Sequence, residues 1–245
     1  SAVVASKCLQ PGEHIYGLGE KAFALDRRGH AFEMWNTDPT GYSPGCDPLY
    51  LNVPFYLGLH GVQGYGLFFD NSCHSHFDLG ASHPDRLRFA ATAGELRYYF
   101  LYGPDLRTVI EHYTELTGRM ALPPRWALGF QQSRWSYSPA SQVREVARQF
   151  RARAIPCDAI YLDNHYMRGF RCFTWHRRRF PDPRALVADL RAAGFHTVVA
   201  MDPAIKVDHR YEACASGLQE DVFCKYPDGD PVAAPVRPGD AYFPD

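Results

Sequence analysis

The stretch from Ile155 to Ile205 constrains the fold of this chain more than any other part of it. Two short apolar runs, Cys157–Leu162 and His196–Met201, each lead into an aspartate, and a helical pattern over Pro183–Ala193 separates them. Strand, helix and strand in this order predict a βαβ unit, whose two strands pair in parallel through a right-handed crossover. Units of this kind build (β/α) barrels and doubly wound sheets.

The two aspartates, Asp163 and Asp202, follow these strands directly. Parallel strands end at the same edge of a sheet, and that edge is where α/β proteins bind ligands. We therefore expect the two carboxylates to lie side by side. They have no cluster of His, Asp and Cys with metal-ligand spacing around them, so we expect neither a metal nor a cofactor. The vicinal hydroxyls of a sugar suit such two-oxygen acceptors better.

Two aromatic residues, Trp135 and Tyr161, lie near the same predicted strand ends and could offer flat faces to a sugar ring. Each feature also has a simpler interpretation. A strand-end aspartate is often a helix cap or a loop anchor, and a tryptophan or tyrosine is often part of the core. Their joint occurrence at one edge favours a carbohydrate site.

The first hundred residues have a different pattern, in which short runs of strand-forming residues alternate with Gly, Pro, Asn and Asp. This pattern predicts an antiparallel β-sandwich. Apolar residues at helical spacing then predict a helix at about 105–117, and the stiff segment Ala121–Pro124 follows it. We place the domain boundary there, with a β-sandwich domain over 1–120 and a second domain over 121–245.

The second domain is predicted to hold three strands with intervening helices. The first strand covers Trp126–Gln132, and the first helix is capped by Ser138 with Pro139 at its first helical position. After the third strand we expect an irregular excursion that contains a hairpin with its turn at Pro227–Gly229.

Composition excludes some classes of protein. The 245 residues carry a net charge of −1, so the basic footprint of a nucleic-acid-binding protein is missing. No apolar run has the length of a membrane span, and no charged leader followed by an apolar segment is visible. The seven cysteines contain no Cys-x-x-Cys pair, which favours reduced thiols in a cytoplasmic protein.

Short motifs along nearly the whole chain resemble glycoside hydrolase family 31, the retaining α-glucosidase family. Any one of them is weak, but their common order makes the resemblance strong. The motifs are Tyr16–Glu20, Met34–Asp38, Pro54–Tyr56, Gly66–Asn71, Tyr102–Pro104, Tyr113–Gly118, Leu122–Gly129, Arg134–Tyr137, Phe173–Trp175, Phe180–Asp182 and Asp202–Ile205.

The resemblance implies a β-sandwich followed by the first strands and helices of a (β/α)8 TIM barrel, which is incomplete here. It implies that Asp163 holds hydroxyls of the terminal sugar, that Asp202 is a second polar wall of that pocket, and that Ile205, in the same motif as Asp202, also contacts the substrate. Trp135 and Tyr161 match aromatic pocket positions, and Asp38 matches a loop of the sandwich domain that reaches over the active site. Both catalytic aspartates of the family fall on later strands, so we assign no residue here as catalytic.

The chain also departs from the family pattern. His165, Arg168 and His176 stand where the family has acids, and Arg237 stands where it has a tryptophan. These exchanges predict a more positive pocket rim, which fits either an anionic sugar or relaxed constraint. We expect the substrate-binding half of an α-glucosidase whose partner is an oligosaccharide or α-glucoside. The alternatives are a truncated or degenerate non-catalytic relative and an α-xyloside or α-galactoside specificity.

Overall fold

The computed structural model describes residues 2–236 and 239–245, and the chain divides into two compact units, Ser1–Ala121 and Leu122–Asp245. Each unit has its own cluster of buried apolar side chains. Within the described residues, no helix is both long enough and apolar enough to cross a membrane.

The first unit contains two four-stranded antiparallel sheets, one with the strand order β1-β7-β6-β3 and the other with the order β2-β4-β5-β8. Buried side chains from both sheets form one core, so the predicted β-sandwich is confirmed. The strands are β1 (Val3–Cys8), β2 (His14–Gly19), β3 (Ala31–Met34), β4 (Asn52–His60), β5 (Gln63–Phe69), β6 (Ser75–Leu79), β7 (Arg86–Ala91) and β8 (Tyr98–Gly103).

Phenylalanine rings join the two sheets at the centre of this core. The ring of Phe69 on β5 lies 5.0 Å from that of Phe89 on β7 and 6.3 Å from that of Phe77 on β6. All three side chains are at least 98% buried. Offset and edge-on contacts at these distances add to the free energy gained from burying the rings.

Helix α1 (Leu106–Thr117) packs on the outer face of the second sheet. It begins after Asp105, whose side chain accepts a hydrogen bond from the Thr108 N–H at 2.9 Å. Its buried Val109 lies over Gly66 of β5, where an added Cβ would come within 2.7 Å of both Val109 and Phe55. A glycine is therefore needed at position 66 for this close approach.

The second unit begins with a parallel three-stranded sheet in the order β11-β10-β9. Strand β10 lies between its two neighbours, and α3 connects it to β11, so the predicted βαβ unit is confirmed. Ile160 and Leu162 of β10 are buried against the helices, in one cluster with Val143 and Leu186. The elements are β9 (Gln131–Gln132), α2 (Ala140–Ala152), β10 (Ala159–Leu162), α3 (Pro183–Ala192) and β11 (His196–Val199).

The predicted first strand, Trp126–Gln132, is wrong over most of its length. Arg125–Leu128 forms a turn of 3-10 helix, and only Gln131–Gln132 pairs with β10. The proline pair before Arg125 presets this turn, and the indole of Trp126 stacks on the His196 ring at 4.1 Å instead of entering a strand. Apolar content alone indicated a strand where local backbone preference favoured a turn.

The predicted helix start is wrong by one residue. Pro139 occupies the N-cap position of α2, and the Ser138 side chain makes no capping hydrogen bond. The Gln142 side chain instead reaches back and accepts a hydrogen bond from the Ser138 N–H at 2.9 Å.

The segment after Ile205, predicted to be largely irregular, contains more regular structure than its pattern indicated. Its small antiparallel sheet has the order β12-β14-β13, and Gly229 N–H bonds to Tyr226 O across the Pro227–Gly229 turn. Helix α4 was missed because its small residues carry only a weak apolar stripe. The elements are β12 (Ile205–Lys206), α4 (Glu212–Gln219), β13 (Ala233–Val236) and β14 (Gly239–Tyr242).

Candidate functional site

Strand β10 carries Tyr161 and Asp163 to the carboxyl edge of the parallel sheet, on the face that points away from the helices. Side chains alternate along a strand, and Ile160 and Leu162 point into the helix-covered core. Tyr161 is half-buried, and its hydroxyl donates to Gln131 Oε1 on the neighbouring strand at 2.5 Å. This contact ties the aromatic ring to the two strands beneath the edge.

At this edge, Asn164 makes a hydrogen bond to each of the two aspartates, Asp163 and Asp202. Asp163 ends β10 and accepts a hydrogen bond at 2.6 Å from the Asn164 N–H, which begins a short 3-10 turn. The Asn164 side chain donates from Nδ2 to Asp202 Oδ2 at 3.1 Å. One asparagine thus contacts both carboxylates.

Cys172, a buried core residue of the second unit, contacts the main chain at Asp202. The buried Cys172 thiol lies 3.6 Å from the Asp202 carbonyl oxygen and 3.7 Å from that of Ala204. Burial raises the pKa of the Cys172 thiol, so it stays protonated and can donate at neutral pH. The Tyr211 hydroxyl donates to the Cys172 carbonyl at 2.7 Å, and burial raises the pKa of Tyr211 to about 12.

Trp135 lies on the loop after β9, with 67% of its surface exposed. The simpler interpretation, in which Trp135 is part of the hydrophobic core, is therefore wrong. Its ring stands edge-on to the His165 ring with centroids 5.4 Å apart, and the Phe170 ring lies 5.3 Å from the His165 ring. The next residue, Ser136, makes a 2.6 Å hydrogen bond between its Oγ and His165 Nδ1. His165 thus links the tryptophan loop to the turn that follows Asp163.

Ile205 is in a different environment from the aspartates. It is only 8% exposed, begins β12 and packs in the core of the second unit, which leaves little of its side chain for contact with a ligand. Its substrate contact stays a prediction.

Asp38 belongs to the first unit and is exposed in the loop that follows β3. A buried Lys21 anchors that loop. Its ammonium donates to Asp47 Oδ1 at 2.5 Å, to Asn52 Oδ1 at 2.6 Å and to the Glu33 carbonyl at 2.7 Å. The predicted role of Asp38 over the pocket stays a prediction.

The charges at the edge determine which ligands it suits. Within the described residues, neither Asp163 nor Asp202 has a Lys, Arg or His nitrogen within 4.0 Å, and no group of three or more His, Cys, Asp or Glu side chains could hold a metal ion. Carboxylates without a cationic partner accept hydrogen bonds from neutral donors such as hydroxyls.

The four departures from the family pattern have different surroundings. His165 bonds to Ser136, and His176 Nδ1 accepts a hydrogen bond from the Arg179 N–H at 3.3 Å, so both histidines support loops. Arg168 is exposed, and its guanidinium makes no ion pair among the described residues. Arg237 lies outside the described residues. Of the exchanges that the structure describes, Arg168 alone adds an unpaired permanent charge.

Sequence reasoning missed the connecting residues. Asn164 directly follows Asp163 and Ser136 lies inside a family motif, but hydrogen bonds to partners 38 and 29 residues away leave no periodic signal. Their amide and hydroxyl groups, adjacent to Asp163 and Trp135, were the only clue.

The edge therefore presents two carboxylates, an exposed indole beside them and a tyrosine on the same face. This arrangement can accept several hydroxyl hydrogen bonds and can cover one apolar face of a ring.

Comparisons with known proteins show which family this chain resembles. Residues 120–245 match the model described as the glycosyl hydrolases family 31 TIM-barrel domain, and residues 1–78 match the glycosyl hydrolase 31 N-terminal galactose mutarotase-like domain. Alpha-glucosidase 2 of Bacillus thermoamyloliquefaciens is 43% identical over 99% of this chain and 31% of its own length. Alpha-xylosidase XylQ of Lactiplantibacillus pentosus is 32% identical over 79% of this chain and 25% of its own length.

Comparison with solved structures also indicates glycoside hydrolase family 31. A family 31 dextranase from Flavobacterium johnsoniae, solved with glucose, matches 100% of this chain and 30% of its own with a TM-score of 0.92 and 36% identity. The chain spans about a third or less of the length of these relatives. With a β-sandwich, the start of a TIM barrel and a family model that covers half of its residues, the chain belongs to glycoside hydrolase family 31.

Proposed function

We propose that this chain forms the sugar-binding part of a retaining α-glucosidase and holds a terminal α-linked glucose at the carboxyl edge of β10 and β11. The observation that carries the proposal is the Asn164 bridge, because it fixes Asp163 and Asp202 at one edge. Their carboxylates accept hydrogen bonds from neighbouring hydroxyls of the glucose ring.

Trp135 supplies the apolar contact in this proposal. One face of a pyranose is lined by C–H groups, which are attracted to the electron-rich face of an aromatic ring. The exposed indole is held in place through the Ser136–His165 hydrogen bond and is thus available to a ligand. Tyr161 lies beneath the edge and limits the depth of the pocket.

Hydrolysis with retention needs a nucleophile and a general acid whose carboxyl groups lie about 5–5.5 Å apart on either side of the scissile bond. Asp163 matches the sugar-holding strand of the family and is engaged by Asn164, so we give it no such role. By the resemblance, the two catalytic carboxylates belong to later strands of the barrel.

A second candidate is an α-xyloside-binding site, which the similarity to an α-xylosidase favours. Xylose lacks the hydroxymethyl group of glucose, so the two sugars differ by one buried or exposed CH₂OH group. A third candidate, a non-catalytic sugar-binding relative, shares the geometry but predicts no turnover in any longer form of the protein. Among the exchanges that the structure describes, specificity for an anionic sugar rests on Arg168 alone.

The seven cysteines are all free, which supports the proposal of a cytoplasmic location.

The binding proposal is tested by titrating this chain with glucose, xylose and maltose while the Trp135 indole N–H signal is followed by NMR. We expect a saturable shift with glucose and maltose, which Asp163→Asn and Asp202→Asn each weaken by about tenfold, equivalent to about 1.4 kcal/mol. Asp189→Asn, an exposed carboxylate on α3, is the matched control and should leave the affinity unchanged. A response to xylose alone would favour the α-xyloside candidate, and no response to any sugar would contradict the proposal.

Catalysis is tested separately with a chromogenic α-glucoside. Turnover by this chain that survives repurification would contradict the non-catalytic candidate.

A further inference from the structure

The first unit contains a cavity of about 430 Å³ that the proposed function does not use. It lies where the end of β3, the start of β4 and the connection from β5 to β6 come together. Its volume is in the range of about 300–1,000 Å³ that is typical of small-molecule sites. It is therefore large enough to hold one or two sugar rings.

One part of the cavity lining is apolar. Trp35 is 55% exposed and lies with Met34 and Pro54 along the wall. The His74 ring, 5.3 Å from the indole, supports Trp35, and His74 is itself held by a 2.7 Å contact between its Nε2 and Glu33 Oε2. A supported and exposed indole presents a flat face to a ligand at little cost in side-chain entropy.

Polar side chains line another part of the cavity. Asn36 Oδ1 accepts hydrogen bonds from the Asn52 N–H at 2.9 Å and from Asn52 Nδ2 at 2.8 Å. The amide of Asn36 is thereby oriented, and its own Nδ2 donates to no described residue. Ser75 is 97% buried and lines the same cavity, yet its hydroxyl makes no hydrogen bond within the described part of the chain.

The polar side chains Asn36 and Asn52 are held in place by a chain of contacts from residues outside the cavity lining. Asn52 Oδ1 accepts a hydrogen bond from the buried Lys21 ammonium at 2.6 Å, and Lys21 is neutralised by Asp47. This chain of contacts fixes Asn52 and, through it, Asn36, before any ligand arrives. A fixed donor binds a ligand with less loss of conformational entropy than a mobile one.

The charges around the cavity decide the ligand class. No side chain that lines it carries a formal charge. Glu33 is nearby but is engaged by His74 and His76. An anionic or cationic ligand would thus find no counter-charge, whereas a neutral polyhydroxylated ring matches an indole face with amide and hydroxyl partners.

We propose that this cavity is a second carbohydrate site, which binds a neutral pyranose of an α-glucan against Trp35 with hydrogen bonds to Asn36 and Ser75. It lies within the first unit and shares no residue with the Asp163 and Asp202 edge. The preference for a neutral sugar ring follows from the lining, whereas the choice of an α-glucan rests on the proposed function.

The test is an NMR titration of the whole chain with maltotriose and with isomaltotriose. The Trp35 indole N–H and the Asn36 side-chain amide should shift saturably with at least one of them. Trp35→Ala should raise Kd by at least tenfold, as judged on the Asn36 signal. The control Tyr102→Ala removes a similarly exposed aromatic side chain of the same unit outside the cavity and should change Kd by less than twofold.

Two outcomes of this titration overturn the inference. One is that the Trp35 and Asn36 signals stay fixed up to the solubility limit of both sugars. The other is that Trp35→Ala and Tyr102→Ala have the same Kd. The double variant Asp163→Asn, Asp202→Asn separates the two sites. It should abolish the Trp135 response and leave the Trp35 response intact, and loss of both responses would contradict an independent second site.

Discussion

Asn164 Nδ2 lies 3.1 Å from Asp202 Oδ2, so the residue that follows one candidate sugar-holding carboxylate fixes the other. A bridge of this kind lets the two strand ends act as one acceptor surface. It also makes the arrangement sensitive to a change at a residue for which we propose no direct contact with sugar.

We expect Asn164→Ala to weaken maltose binding by about tenfold, or about 1.4 kcal/mol, because Asp202 loses the donor that orients it. Asn164→Asp should weaken it further, since a third carboxylate would repel the other two. Calorimetry or NMR measures the affinity, and Gln149→Ala on α2 is the matched amide control. Unchanged affinity in Asn164→Asp would show that the bridge does not position Asp202.

The Ser136–His165 hydrogen bond should couple the tryptophan loop to the turn after Asp163. We expect Ser136→Ala and His165→Ala to be non-additive, with a coupling free energy of unfolding of about 1 kcal/mol. Urea unfolding of the two single variants and the double variant measures this coupling. Additive effects would mean that the 2.6 Å contact contributes no specific stability.

The Cys172 thiol should resist alkylation. It is 3% exposed, burial raises its pKa, and it points at the carbonyls of Asp202 and Ala204. Since the thiolate is the reactive form, iodoacetamide at pH 8 should modify Cys172 at least tenfold more slowly than the exposed Cys8. Peptide mapping by mass spectrometry gives both rates in one sample. Equal rates would contradict the packing behind Asp202.

Glu13 should make the stability of the first unit depend on pH in acid. Burial opposes its ionisation, but hydrogen bonds from the Gln10 N–H, Lys7 and Tyr65 outweigh burial and hold the pKa of Glu13 below its ordinary value of 4.5. A lowered folded-state pKa gives stability that is fully present above the unfolded-state value and is lost as pH falls through the folded-state pKa.

We therefore expect Glu13→Gln to destabilise the protein at pH 7 and to flatten its loss of stability below pH 4.5. Thermal unfolding followed across this range measures both effects. The exposed Glu220→Gln is the control. A parallel acid profile in wild type and Glu13→Gln would show that this carboxylate does not contribute to acid sensitivity.

The buried Lys21 should be needed for the loop that carries Trp35 and Asp38. Lys21→Met leaves the Asp47 carboxylate, whose side chain is only 10% exposed, without its partner. We expect a loss of about 3–5 kcal/mol in the free energy of unfolding, which is typical of an uncompensated buried charge. Lys225→Met, which breaks an exposed ion pair with Asp221, should change stability far less. Similar losses in both variants would contradict this role for Lys21.

Periodicity alone determined a large part of this protein. Alternating and continuous apolar runs indicated the sandwich and the βαβ unit, because burial of one face or both faces of a strand leaves a direct pattern in the sequence. The same pattern placed Asp163 and Asp202 after neighbouring strands, since the order of elements fixes which ends of parallel strands coincide. The 3-10 turn at Arg125–Leu128 and helix α4 were missed, because their backbone preferences and weak apolar stripes carry little periodic signal.

Only the tertiary structure decided how these residues are connected. It brought Asn164 to Asp202, Ser136 to His165, and Lys21 to Asp47 and Asn52, through hydrogen bonds between residues 26–38 positions apart. It also placed Ile205 in the core and left Trp35 and Trp135 exposed. The physical reason is that a hydrogen bond depends on distances of a few tenths of an ångström, which packing sets, whereas apolar burial needs only the correct face.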